Sequence, residues 1–391
     1  MNMEQEKTVN QKESKRILSL DVLRGITIAG MILVNNPGNW STVYTPLLHV
    51  DWHGLTPTDL IFPFFMFIMG ISTFISLRKT NFSFTSDSLK KIIKRTFVIF
   101  LIGLGLSWVS ISISAFYRLG AEDISILERL GKSIIDFENI RILGVMQRLA
   151  LSYGIAALIA ISVKHKHIPI LIATLLIGYF ILLLVGNGFE QGDGSILAVV
   201  DQKILGLKHM YVSHGIDPEG ILSTIPSVAH VLIGFLIGKV LFDQKENTQR
   251  MLVLFIWGAI LTFIGFLFSY ACPINKKIWS PSFVLISCGV GSTLLALLFW
   301  IIDEKGHKKW SVFFESFGAN PLFIYVLSSL LATLIGQITI GSTSIKGILY
   351  SGLEVIGLPD KLTSLLFGVL FVAVCWIVGH QLYKRKIYIK I

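Results

Sequence analysis

The chain has 391 residues, of which 53% are hydrophobic and only 15% charged, and its formal net charge is +10. Its mean hydropathy is +0.71. A soluble domain carries about 25% charged residues, so these values exclude an ordinary soluble fold. The 3 cysteines show neither metal-ligand spacing nor a disulfide framework, and read as small packing residues.

In chain order, a polar tail at 1–15 precedes a first apolar span near 17–36. Further spans lie near 58–78, 92–116, 143–162, 167–186, 223–242, 250–270, 282–302, 311–338 and 363–383. Each runs to roughly 20 residues, enough to cross a bilayer. The expected fold is all-α: a polytopic membrane protein of about ten transmembrane helices, with one membrane domain over 16–391. The first span is too long and too polar at its start for a cleaved signal peptide.

Basic residues alternate with these spans. They cluster before the first (Lys12, Lys15, Arg16), after the second (Arg78, Lys79, Lys90, Lys91, Lys94, Arg95) and after the fourth (Lys164, Lys166). They recur after the sixth (Lys239, Lys245, Arg250), the eighth (Lys305, Lys308, Lys309) and the tenth (Lys384, Arg385, Lys386, Lys390). The positive-inside rule then places both termini in the cytoplasm and the loops at 37–57, 117–142 and 187–222 outside. The charge is thus a topology signal. No basic face with interleaved aromatics argues for a nucleic-acid partner.

Ionisable and amide side chains within or beside apolar spans mark candidate sites, because a charge in the membrane is costly. In LSLDVLRGITIAGMILVN, Asp21 and Arg24 share a helix face and can pair, either to pack helices or to serve a site. Asn35 lies on the same stripe as Arg24, ~16 Å along the axis at 1.5 Å per residue. Asn36 and Pro37 already suffice to end that helix.

The next block, HVDWHGLTPTDLIFPFFMFIMG, crowds His49, Asp51, Trp52 and His53 before a helix start. Thr56 can cap, Pro57 suits the first helical position, and Asp59 suits the third as a capping carboxylate. A histidine can carry a proton near neutral pH, and Asp51 or Asp59 can orient it. In RILGVMQRL, Arg148 lies beside Gln147, two turns past Arg141 on one face. At that depth an arginine needs a carboxylate or an anion. In DPEGILSTIPS, Asp217 and Glu219 suit a cationic or sugar-like partner, or simply a solvated turn.

These blocks occur in order with NKKIWSPSFVL, FGANPLFIYV and a closing LYKRKIYIKI. From about residue 16 to the C-terminus the chain resembles the heparan-α-glucosaminide N-acetyltransferase family, including its bacterial members. The resemblance implies transfer of acetyl from cytosolic acetyl-CoA to the amine of a terminal glucosamine across the membrane. It implies no metal, a bacterial cytoplasmic membrane with the site opening outside, and a homodimer, as family members often are. His49 matches the family's essential histidine, and His53 does not. Asn35 matches an asparagine implicated at the outer end of the preceding helix.

The LDVLRG element is also similar to the wider transmembrane acyltransferases, in which a histidine often occupies the position held here by Asn35. That difference favours the N-acetyltransferase branch. On this resemblance His49 is the expected base and Asn35 a donor to the thioester oxygen or an orienting group, with Asp51 and Asp59 in support. Arg24, Arg148 and Gln147 are expected at the coenzyme. Trp52, Arg141, Asp217, Glu219 and Asn320 are expected at the acceptor sugar. Three rival functions remain open: O-acetylation of an envelope glycan, transport of a small molecule, and an interaction scaffold without activity. Against transport, no paired repeat appears.

Overall fold

The computed structural model describes residues 17–121 and 124–389. The polar tail expected at 1–15 lies outside them, as do the flanking cations Lys12, Lys15, Arg16 and Lys390. The chain runs through helices α1 (Leu18–Asn35), α2 (Pro57–Arg78), α3 (Ser86–Arg118), α4 (Ile126–Ile134), α5 (Val145–Ser162), α6 (Ile168–Val185) and α7 (Ile196–Ile204). It continues through α8 (Thr224–Asp243), α9 (Asn247–Ser269), α10 (Pro281–Leu298), α11 (Val312–Ala319), α12 (Pro321–Gln337), α13 (Ile345–Glu354) and α14 (Asp360–Lys384). A two-stranded antiparallel ribbon, β1 (Thr339–Ile340) and β2 (Thr343–Ser344), precedes α13.

Among the described residues, 9 helices are long and apolar enough to cross a membrane, or up to 10 if one bent pair counts as a span. That pair is the expected span at 311–338. It folds as two helical pieces bent by 76°. Pro321 has no backbone N–H and pushes the residue before it out of helical geometry. Asn320 accordingly sits at φ −131° and ψ 55°. The third span begins earlier than its apolar stretch, at Ser86, because the Thr85 hydroxyl accepts the Ser88 N–H at 3.2 Å. Hydropathy reads the apolar length of a helix and misses a polar first turn.

Helices α1, α2, α5, α8 and α10 are mostly buried, whereas α3, α6 and α9 turn most of their surface outward. Close backbone approach sets two crossings. A β-carbon at Gly70 of α2 would overlap the Val231 carbonyl, and one at Gly234 of α8 would overlap that of Phe67. Likewise Gly25 of α1 lies against the Phe314 carbonyl, and Gly318 of α11 against that of Asp21. In lipid, small residues at a crossing let helices gain packing that the hydrophobic effect does not supply. The buried His230 adds a polar tie, donating from Nε2 to the Pro63 carbonyl at 3.0 Å.

Gly234→Leu forces a side chain into the α2–α8 crossing and should cost about 3 kcal/mol or more. Thermal melting of the detergent-purified protein checks this. The midpoint should fall sharply, whereas Gly178→Leu, at an open helix position, leaves it near the wild-type value.

Candidate functional site

The residues at α1 positions 24, 28, 31 and 35 recur at spacings of four, three and four, so they form one stripe. Three cavities line up along it. The one at the Arg24 end, here termed inner, has about 380 Å³ and is walled by Arg24, Ser72, Thr73, Arg95 and Ile389 among others. A pinched void of about 10 Å³ follows, lined by Ile28, Met31, Phe65, Leu149 and Tyr325. The one at the Asn35 end, here termed outer, has about 100 Å³ and is bounded by Asn35, His49, Thr58, Glu219, Lys276 and Tyr325.

Asp59 organises the outer cavity. Its carboxylate is almost completely buried. Oδ2 accepts the backbone N–H of Thr56 at 3.0 Å and of Val50 at 3.2 Å, together with the Thr56 hydroxyl at 2.8 Å. Oδ1 lies 2.7 Å from His49 Nδ1. One carboxylate therefore caps α2 and orients a histidine with its two oxygens. Facing a carboxylate, Nδ1 carries the ring proton, which leaves Nε2 as the acceptor. The His49 side chain is 47% exposed, so this nitrogen is reachable. Asn35 lies on the cavity wall with no hydrogen-bond partner for its carboxamide among the described residues. The helix end is served instead by Asn36, whose Nδ2 donates to the Ile32 carbonyl at 2.7 Å.

Glu219 reaches the same cavity on a turn clamped from several sides. The Arg141 guanidinium bridges Asp217 and Glu219, with Nε 3.2 Å from Asp217 Oδ2. Burial costs this guanidinium, but Glu219 and Asp217 outweigh that and hold it charged. Asp217 is buried and also accepts the Tyr211 and Glu219 backbone N–H groups, each at 2.9 Å. Arg148, fully buried, donates to the Gly220 carbonyl at 3.3 Å and to the Ser223 hydroxyl. Its guanidinium lies 5.0 Å from the Trp279 ring. Asp201 takes the Ile221 N–H at 2.8 Å.

The expected site residues thus separate. His49, Asn35, Asp59 and Glu219 come together. Asp51 stands apart, its largely exposed carboxylate 3.2 Å from His214 Nε2. Trp52 is buried, with its indole N–H on the Phe189 carbonyl at 2.8 Å and its rings beside His53 and His214, off the cavity wall. His53 faces Asn275, and burial lowers its pKa. Arg141, Asp217 and Arg148 build the turn that carries Glu219, and Gln147 packs against Gly103 of α3.

Arg24 lines the inner cavity, bonded to Asp21 at 3.0 Å and to Ser72 at 2.8 Å. Arg95 joins it there, over the Tyr153 ring, its buried Nε without a hydrogen-bond partner among the described residues. Asn320 pins the chain end, donating to the Ile387 carbonyl at 2.8 Å and accepting the Ile389 N–H at 2.7 Å. Its partner Ile389 lines the inner cavity, and Asn320 does not line the outer cavity where the acceptor-side role was expected.

Lys276 is the site residue that the polar-residue reading passed over. Its Nζ lies 3.2 Å from His49 Nδ1 and 3.6 Å from Asp59 Oδ1. The available signal was a lysine pair, Lys276–Lys277, in the short loop between two apolar spans.

The model of the heparan-alpha-glucosaminide N-acetyltransferase catalytic region matches residues 16–272. The chain belongs to this family. The match contains the α1 stripe, the His49–Asp59 pair and the Glu219 turn. The chain is similar to heparan-alpha-glucosaminide N-acetyltransferase of Homo sapiens, 28% identical over 370 residues that cover 80% of this chain and 52% of that protein. It is 27% identical to the Mus musculus protein of the same name over 375 residues, covering 81% and 54%. The chain therefore spans about half the length of these curated relatives. Lys276 falls just beyond the family match.

Asp201 gives the Glu219 turn a pH response. Burial pushes its carboxyl up to about 6, against the Ile221 N–H, which favours the charged form. The fold thus favours the protonated acid. Its contribution to stability is complete below the unfolded value near ~4 and is lost as pH rises through about 6. Thermal melting across this window should show wild type losing stability as pH rises, and Asp201→Asn should flatten that slope.

Proposed function

We propose that the protein acetylates the amine of a glucosamine-type sugar on the outer side of a bacterial cytoplasmic membrane, drawing acetyl from acetyl-CoA on the inner side. The observation that carries this reading is the α1 stripe. One helix face touches a cavity with two arginines at one end and a cavity with a histidine–carboxylate pair at the other. The alternation of basic flanks favours the Arg24 end as cytoplasmic. The ~16 Å between Arg24 and Asn35 matches the scale of a pantetheine arm.

The inner cavity fits coenzyme phosphates: Arg24 and Arg95 supply positive charge, and the Arg95 Nε has a donor to spare. The acetylated arm then runs along Ile28 and Met31 towards Asn35. In this conformation the pinched void between Met31, Phe65 and Tyr325 keeps the cavities apart, so donor entry requires those side chains to shift.

At the outer cavity, Glu219 holds the incoming ammonium or sugar hydroxyls, and the ammonium gives its first proton to water. His49 Nε2 removes a proton from the amine, with Asp59 fixing its tautomer. The nitrogen forms a bond to the thioester carbon, and the Asn35 amide N–H donates to the oxygen as it gains charge. The carbon–sulfur bond then breaks. His49 returns its proton to the departing thiolate, leaving an amide and a free thiol.

Purified protein assayed with acetyl-CoA and a panel of sugars tests this. Glucosamine should be acetylated and N-acetylglucosamine should not. Transfer only to hydroxyls would replace the reading with O-acetylation. His49→Ala should abolish turnover. Asn35→Ala should lower kcat by about 100-fold or more, the scale of one lost oxyanion donor.

A further inference from the structure

An aspartate–histidine pair alone creates a difficulty for the proposed chemistry. The carboxylate lies 2.7 Å from the ring, and a negative charge so close attracts positive charge as well as fixing a tautomer. A histidine already protonated cannot take a proton from the acceptor amine. The structure places a compensating charge at that spot. Lys276 Nζ is 3.2 Å from His49 Nδ1 and 3.6 Å from the Asp59 oxygen that the ring faces. When Nδ1–H is directed at Asp59, that nitrogen has no lone pair left for the lysine. The lysine–histidine approach is then a juxtaposition of a cation with a ring, tolerable while the ring is neutral and repulsive once it is charged.

We propose that Lys276 is a positioning residue for proton transfer: its ammonium offsets Asp59 at Nδ1, so that Asp59 fixes the His49 tautomer without fixing the imidazolium. The inference rests on reading His49 as the base of the proposed reaction, and it adds how that base is kept free.

Other groups around the ring leave this balance in place. Glu219, from the 217–223 turn, is engaged by Arg141. Asn35 of α1 and Tyr325 of α12 are polar and uncharged. Lys277 points to His214, with Nζ 3.0 Å from its Nδ1, and His214 in turn faces Asp51. Burial, with Lys277 beside it, leaves the Lys276 amine pKa below its ordinary value, and Asp59 and Glu219 oppose part of that shift.

The test follows His49 directly. Diethyl pyrocarbonate labelling of the purified protein, localised to His49 by mass spectrometry at a series of pH values, gives the midpoint at which the ring becomes reactive. Lys276→Gln leaves Asp59 unopposed, so the midpoint should rise by about one pH unit or more. Asp59→Asn leaves the lysine unopposed, so it should fall. The double variant should return between the two. Lys276→Arg keeps the charge and should stay with wild type. The acidic limb of the pH–rate profile for acetyl transfer should move in the same directions.

A midpoint that stays at the wild-type value in Lys276→Gln, or in Asp59→Asn should the lysine variant not fold, overturns the proposal. Labelling midpoints that move as stated in a protein with no acetyl transfer would uphold the electrostatic role and sink the functional reading. Transfer with unmoved midpoints would sink the electrostatic role alone.

Discussion

The buried Asp59 carboxylate sits where a membrane helix begins. A helix mouth presents unpaired N–H groups, and a carboxylate at the third position satisfies them while complementing the helix dipole. That requirement fixes one oxygen of Asp59 on Thr56 and Val50. The other oxygen is then held in one direction, and His49 occupies it. Helix capping and histidine orientation are therefore one interaction. A carboxylate that loses its cap would no longer aim the ring, and a loop that displaced the ring would still leave the helix capped.

The rest of the outer site is built separately and converges on this fixed point. The turn bearing Glu219 is brought to the same cavity by side chains it does not share with Asp59: Arg141 from the loop before α5, Arg148 from within α5 and Asp201 from α7. Burying Arg148, Asp201 and Asp217 around one turn, with Arg141 half-buried beside them, is expensive in a low-dielectric setting unless each finds partners. Here most donors and acceptors do, although Arg148 Nε and Nη1 and Asp201 Oδ2 remain without protein partners among the described residues. The α1 stripe supplies the other half of the architecture. It links the carboxylate-rich outer end to the arginine-lined inner end without any further change of helix.

Much of this was legible in the sequence, for identifiable reasons. Lipid demands long apolar helices, so the spans could be read from hydropathy alone. The Arg24–Asn35 alignment followed from helical periodicity, and Thr56, Pro57 and Asp59 announced a helix start. Periodicity fails where the chain is not helical. Asp51 and Asp59 looked equivalent beside His49, and only the loop's path separates them. Arg148 looked like an anion site because its depth was visible, whereas its partners, 72 and 75 residues away in the chain, were not. Trp52 resembled a sugar platform until its burial was seen. Lys276 reaches His49 across 227 residues of sequence, a distance that no local pattern spans. The bend at Asn320–Pro321 was signalled by proline, yet an apolar run on both sides concealed it.

The central claim is that acetyl passes between two faces of one membrane along the α1 stripe. Sealed proteoliposomes of uniform orientation, with labelled acetyl-CoA supplied only on the side of the Lys94–Arg95 flank and glucosamine only on the opposite side, test it most directly. The account predicts labelled N-acetylglucosamine in the glucosamine compartment, and none when His49 is replaced by alanine. Product formed only when donor and acceptor share one compartment would contradict it.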